Sequence, residues 1–112
     1  MATDKNYKIP KDQIKELVSG YRAGLATDKI MVLGELVDYM YREDPAHAAD
    51  SGWRFFSGSE DQAYVDDPNN MAFYAMNTLA NYDPAIIPYL DLPIGTELER
   101  APGTDLFRII PE

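Results

Sequence analysis

The apolar runs of this chain are short, and turn-forming residues separate each run from the next. The longest, such as Ile30–Leu33, fall far below the roughly 18 residues that span a bilayer. Short runs rich in aromatic and β-branched residues are typical of strands. A length of 112 residues allows one domain. We therefore predict an α+β fold, a single small domain with a mainly antiparallel sheet of about four to six short strands, an N-terminal helix and one or two short helices near the C-terminal half.

Helical spacing is clearest near the start of the chain. The pattern predicts a helix over Pro10–Ser19, with Gly20 as its terminator. Residues 1–8 are predicted to be a flexible tail, and residues 9–112 the single domain. Farther on, Gly58–Asn70 is predicted to be a loop or a short helix that Ser59 could cap. Asp83-Pro84 predicts one or two helical turns over Ala85–Leu90.

Strand predictions rest on alternation and turn chemistry. Gly34-Glu35 suits a type II′ hairpin, and in its second arm Val37, Tyr39 and Tyr41 are predicted to share one face. Trp53–Ser57 has the aromatic content of a central strand. Met71–Met76 could be a strand or the start of a helix. The remaining predicted strands are Tyr21–Ala26, the hairpin arms Ile30–Leu33 and Leu36–Arg42, and the closing pair Thr96–Arg100 and Leu106–Ile110.

The residue types exclude several chemistries. The chain has no cysteine and one histidine, His47, so disulfides, thiolate nucleophiles and two-histidine metal sites are excluded within one chain. His47 lies in a polar stretch and is predicted to be a surface residue. Phosphate-loop, dinucleotide and nucleophile-elbow motifs are absent from the sequence. We predict no catalytic, cofactor or metal site, and a cytoplasmic location, because no signal-peptide pattern is present.

The charge is strongly acidic and unevenly distributed. The formal net charge is −9; residues 30–112 carry four basic and fifteen acidic groups. Such a surface repels nucleic acid and anionic lipid and attracts a basic protein. The acidic pairs Glu60-Asp61 and Asp66-Asp67 are the candidate contact residues, with Tyr64 as an aromatic anchor. The alternative interpretation of these acids is a solvated loop.

Four tracts resemble a bacterial family, the immunity protein 33-like family. They are Tyr39-Met40-Tyr41-Arg42-Glu43-Asp44-Pro45, Asp50-Ser51-Gly52-Trp53-Arg54-Phe55-Phe56-Ser57-Gly58, Asn77-Thr78-Leu79-Ala80-Asn81-Tyr82-Asp83-Pro84 and Pro93-Ile94-Gly95. The similarity covers roughly Arg22–Arg100. It implies a protein of a polymorphic-toxin system that binds and neutralises a cognate toxin, and it brings no catalytic residues with it.

Three hypotheses about function follow. The first is a non-catalytic, toxin-neutralising binding protein with a basic toxin domain as its partner. The second is a small-ligand-binding or scaffold domain, which an apolar cavity lined by tyrosines would favour. The third is a small carboxylate-dependent hydrolase, which needs a deep pocket with two carboxyl groups of raised pKa.

Overall fold

A six-stranded sheet forms the centre of the protein, seen in a computed structural model that describes residues 5–111. The strands are β1 (Ala23–Thr27), β2 (Tyr39–Arg42), β3 (Asp50–Phe56), β4 (Met71–Tyr74), β5 (Glu97–Arg100) and β6 (Phe107–Ile109). Their order is β4-β1-β3-β2-β5-β6. Only β1 and β3 are parallel neighbours within this sheet, so the predicted mainly antiparallel α+β fold is confirmed.

Short helices connect the strands. The α-helices are α1 (Asp28–Met31), α2 (Gln62–Asp66) and α3 (Met76–Tyr82), and 3-10 segments lie at Lys11–Gln13, Pro68–Asn70 and Pro84–Tyr89. Among residues 5–111, none of these helices is long and apolar enough to cross a membrane.

The hydrophobic core lies between the sheet, the helices α1 and α3, and the 3-10 segment Pro84–Tyr89. Trp53 and Phe55 on β3 point into it, beside Met40 on β2, and all three are almost completely buried. The Trp53 indole N–H donates to the carbonyl oxygen of Leu90 at 3.0 Å, so the one polar atom of the side chain is satisfied. The predicted central strand is confirmed as β3.

The predicted helix over Pro10–Ser19 is wrong in extent. Only Lys11–Gln13 forms a 3-10 turn, and Ile14 is already extended. The backbone N–H groups of Leu17 and Val18 donate to Asn77 Oδ1 at 2.7 and 3.0 Å. These hydrogen bonds to a side chain on α3 replace the helical ones, and Leu17 remains 44% exposed.

The predicted hairpin around Gly34-Glu35 is also wrong. Asp28–Met31 is helical instead, and both Ile30 and Met31 are buried. The N–H of Gly34 donates to the carbonyl oxygen of Ile30, and Gly34 has a φ of +79°. A glycine of positive φ is typical of a helix C-terminus as well as of a hairpin turn, and here it ends α1.

In the C-terminal half, the predicted cap of the short helix is wrong, whereas the closing strands form as predicted. Asp61, not Ser59, caps α2. Met71–Tyr74 is a strand, and a helix follows directly from Met76. The predicted closing strands are confirmed as β5 and β6, which pair antiparallel.

The predicted tail of residues 1–8 stays a prediction. Residues 1–4 lie outside the described residues. Within the described part, the N–H of Lys8 donates to the carbonyl oxygen of Met31 at 2.8 Å.

Candidate functional site

The sheet face opposite the core carries a mixture of charged and aromatic side chains. Strict alternation along the strands places Leu25, Arg54, Tyr41 and Glu97 side by side across β1, β3, β2 and β5. We call this the open face. The prediction that Val37 joins Tyr39 and Tyr41 there is wrong. Val37 precedes β2 and belongs to the core, because its N–H bonds to Asp83 and not to a neighbouring strand.

An ion cluster of Arg54, Asp50 and Glu43 lies on the open face; Arg54 and Asp50 are buried, whereas Glu43 is exposed. The two terminal nitrogens of Arg54 donate to both carboxylate oxygens of Asp50 at 2.9 and 2.8 Å, and its Nε donates to Glu43 at 2.6 Å. The N–H groups of Ala46 and Gly52 also donate to Asp50. The Arg54 guanidinium, as the largest cause, holds the pKa of the Asp50 carboxyl well below its usual range. A carboxylate held this firmly is a structural ion-pair partner and not a general acid.

An aromatic cluster lies beside the ion cluster. The rings of Tyr39, Tyr41 and Phe56 pack with centroids 5.7 to 5.9 Å apart. Together with Gly58, Glu60 and Val65 they line an open depression of about 360 Å³, which we call the aromatic groove.

Tyr39 is held neutral at the rim of the aromatic groove. Its hydroxyl donates to Glu97 at 2.7 Å. Burial in the first place, and this hydrogen bond in the second, raise the pKa of Tyr39 to about 12.

Glu60 forms one wall of the aromatic groove. Its carboxylate accepts hydrogen bonds from the Thr27 hydroxyl at 2.5 Å and from the N–H groups of Ser57 and Gly58 at 2.9 Å. Burial opposes ionisation of Glu60, but these hydrogen bonds outweigh it, and the pKa of Glu60 lies below its ordinary value. Of the sequence-predicted acidic contact residues, Glu60 is therefore the one whose carboxylate bonds to a distant segment of the chain, at Thr27.

The other predicted acids lie on the surface around α2. Asp61 caps this helix through the N–H of Tyr64, and Asp67 caps the following 3-10 segment. Asp66 accepts a hydrogen bond from the Gln62 amide. All three aspartates are exposed. We call Glu60, Asp61, Asp66 and Asp67 the acidic segment.

Tyr64, the predicted aromatic anchor, is half-buried beside the acidic segment. The Nζ atom of Lys29 lies 5.2 Å from the centroid of its ring. This cation–π distance means that one face of Tyr64 already has a partner within the chain.

Sequence reasoning missed the aromatic groove as a unit. The alternation of Tyr39 and Tyr41 was visible in the sequence. The third ring, Phe56, comes from β3, and only the antiparallel register of β2 and β3, which pairs Tyr39 with Phe56, brings it alongside.

The described carboxyl groups with a shifted pKa do not show the raised pKa that a general acid requires. The pKa values of Glu35, Asp50 and Glu60 are all lowered, the direction opposite to that of a general acid. His47 is exposed beside Phe73, as predicted for a surface histidine. Among residues 5–111, no group of three or more His, Cys, Asp and Glu side chains could hold a metal ion.

One further cavity is relevant to a ligand-binding function. It measures about 300 Å³, is mainly apolar, and is lined by Tyr7, Tyr74 and Tyr82 together with Ile14 and Met31. Burial, as the largest cause, raises the pKa of Tyr74 well above its usual range. The feature predicted to favour the second hypothesis is therefore present in the fold.

Comparison with known families decides the classification. Residues 25–110 match the Immunity protein Imm33 domain. The chain belongs to the Imm33 family. This match confirms the resemblance noted from the four tracts, and it extends through β6 at the C-terminal end. Comparison with curated proteins and with solved structures found no match.

The tract from Asp50 to Gly58, which lies within the matched residues, forms β3 and the turn after it. Gly52 has a φ of +93°, and a Cβ atom there would lie 2.1 Å from the carbonyl oxygen of Glu43. Gly58, at the end of the tract, has a φ of +91°. Between them lie Trp53 of the core and Arg54 of the ion cluster. This tract therefore builds the central strand of the Imm33 domain.

Proposed function

We propose that this Imm33 protein is a non-catalytic binding protein that neutralises a cognate bacterial toxin by direct contact in the cytoplasm. Membership of an immunity-protein family supports a toxin as the partner. The observation that carries the more specific proposal, a basic toxin domain, is the acidic segment: three exposed aspartates lie within seven residues, beside a half-buried tyrosine and an aromatic groove.

The aspartates of the acidic segment are held in position before any partner arrives. Asp61 Oδ1 accepts the N–H of Tyr64 at 2.8 Å, and Asp67 Oδ1 accepts the N–H of Asn69 at 2.9 Å. Caps of this kind fix the side-chain rotamer while leaving the charge exposed. When a basic partner binds these carboxylates, the aspartate side chains therefore lose little conformational entropy.

The surface is large enough for such a contact. The chain exposes 6835 Å². A standard interface covers about 800 Å² on each partner, which is about an eighth of that surface. The net charge of −9 would steer a basic toxin toward the chain at low salt.

Charge removal with the caps preserved tests the acidic segment. The toxin is first identified by capture with the tagged chain from native lysate, with washes at low and high salt. The triple variant Asp61→Asn, Asp66→Asn and Asp67→Asn then removes three charges but keeps an oxygen acceptor at each position. We expect the association rate constant at low salt to fall about fivefold or more, with a smaller change in dissociation.

A matched variant separates position from net charge. Asp12→Asn, Asp44→Asn and Asp91→Asn remove the same number of charges from exposed positions outside the acidic segment. We expect this variant to associate with the toxin nearly as fast as the wild type. Equal slowing in both triple variants would show that net charge alone steers the toxin, and that the acidic segment is not the contact.

A second candidate function is small-ligand binding in the tyrosine-lined cavity of Tyr7, Tyr74 and Tyr82. Its volume of about 300 Å³ lies at the lower end of the range for small-molecule sites. A thermal-shift screen with small aromatic and aliphatic compounds tests it. The expected result is a stabilisation that Tyr74→Leu removes and that the triple aspartate variant of the acidic segment retains.

A further inference from the structure

We propose that the aromatic groove of Tyr39, Tyr41 and Phe56 receives an arginine side chain of the partner. This inference rests on the proposed function, because it names the group on a basic toxin that the groove recognises. It adds a surface to the acidic segment, since neither of the two tyrosines nor Phe56 belongs to that segment.

The groove has the composition of a cation-binding surface. Three aromatic rings, with centroid separations of 5.7 to 5.9 Å, form one side of it. A guanidinium group is planar and weakly hydrated, and it stacks on aromatic faces in a way that an ammonium group does not. The volume of about 360 Å³ is ample for one side chain.

A fixed negative charge lies on the opposite wall. Glu60 lines the groove, and hydrogen bonds from Thr27, Ser57 and Gly58 keep its carboxylate in place. The negative charge of Glu60 therefore lies at a fixed position on the wall of the groove, beside the three rings. An apolar occupant would cover this charge without pairing it, which carries a desolvation cost.

The surrounding charges also favour a cation. Glu97, bonded to the Tyr39 hydroxyl, adds a second carboxylate at the rim. Arg54, a cation beside Tyr41 on the open face, is 4% exposed and already paired with Asp50 and Glu43. Its positive charge is therefore compensated within the ion cluster and does not repel a basic occupant.

A titration with short peptides tests the groove without the toxin. The probe is acetyl-Gly-Arg-Gly-amide, added to protein with labelled aromatic side chains and followed by NMR. The matched control peptide carries citrulline, which has the shape of arginine but no charge. We expect saturating shifts of the Tyr39, Tyr41 and Phe56 ring signals with the arginine peptide, and binding about two- to fivefold weaker with the citrulline peptide.

Variants locate the binding. Tyr41→Leu removes one ring of the groove, and Tyr21→Leu removes an exposed tyrosine outside it. We expect the arginine peptide to lose affinity only in the first variant. If Tyr41→Leu does not fold, the comparison of the two peptides on the wild type still decides. Equal shifts with both peptides, or shifts centred on Tyr7 and Tyr82 instead, would overturn the proposal.

Binding and neutralisation assays with the toxin distinguish this inference from the proposed function. If the toxin is neutralised and binds Tyr41→Leu as tightly as Tyr21→Leu, the groove proposal fails and the function stands. If the arginine peptide binds in the groove but the chain neutralises no toxin, the groove is a cation site and the proposed function fails.

Discussion

Gly52 offers the sharpest test of how the central strand is built. Its φ of +93° lies in the region that favours glycine, and a Cβ atom added there would lie 2.1 Å from the carbonyl oxygen of Glu43. Two hydrogen bonds meet at the same residue. The Gly52 N–H donates to Asp50 at 2.8 Å, and the Gly52 carbonyl accepts from the N–H of Glu43 at 3.0 Å. The change Gly52→Ala must therefore move backbone, because no side chain can yield.

The expected loss follows from these contacts. A left-handed backbone costs an alanine about 1–2 kcal/mol. Displacing the Glu43 carbonyl weakens a neutral hydrogen bond worth about 1 kcal/mol and a charge-assisted one worth about 1.5–3 kcal/mol. With partial relaxation, we expect Gly52→Ala to lower the free energy of unfolding by about 3–5 kcal/mol. This is a large part of the stability of a domain of this size.

Urea unfolding measures the loss, with the fluorescence of Trp53, the single tryptophan, as the signal. The matched control is Gly103→Ala, since Gly103 has a φ of +73° and a Cβ atom added there would have no neighbour within 4 Å. The control carries only the backbone cost, so we expect its midpoint to lie at least about 1 M urea above that of Gly52→Ala. Equal midpoints would refute the argument that the contact with Glu43 makes Gly52 necessary.

Three further predictions concern single interactions. Asp50→Asn leaves Arg54 buried without its main partner, and we expect a loss of about 3 kcal/mol in urea unfolding at pH 7. In the wild type the pKa of Asp50 is lowered, so its stabilisation is full above the unfolded value near 3.9 and is lost as the pH falls below it; the variant should lack that acid dependence between about pH 5 and 2. Asn77→Ala removes the acceptor for Leu17 and Val18, and hydrogen exchange at these two amides should speed up about tenfold while that of Phe55 is unchanged. Tyr39 should stay neutral until about pH 12 in an NMR titration of its ring, whereas a value near 10 would contradict the burial and the Glu97 hydrogen bond.

The accuracy of the sequence predictions depended on how local the decisive interactions are. The β5–β6 pair was predictable because the turn between them is set by its own residues, Ala101-Pro102-Gly103-Thr104. The segment Pro10–Ser19 was not, because its backbone groups are satisfied by Asn77 and Asn81, about 60 residues along the chain. Apolar spacing alone does not show that a distant amide will compete for those groups.

The candidate site also contains one feature that is local in the sequence and one that depends on distant residues. The acidic segment is nearly contiguous, so composition was enough to propose it. Composition did not show that the Glu60 carboxylate accepts a hydrogen bond from Thr27, whereas the Asp66 side chain is exposed to solvent. The aromatic groove depends on a register between two strands, and it required the pairing of Tyr39 with Phe56.

The central strand and the proposed contact surface depend on different properties of their residues. In the tract from Asp50 to Gly58, most side chains are buried, and the glycines hold conformations that other residues rarely adopt. In this chain such residues maintain the central strand, since they are buried or hold a positive φ. The exposed aspartates at 61, 66 and 67 only cap or brace short helices, a task that asparagine or serine performs equally well. The negative charge at these three positions is therefore not required by the fold of this chain.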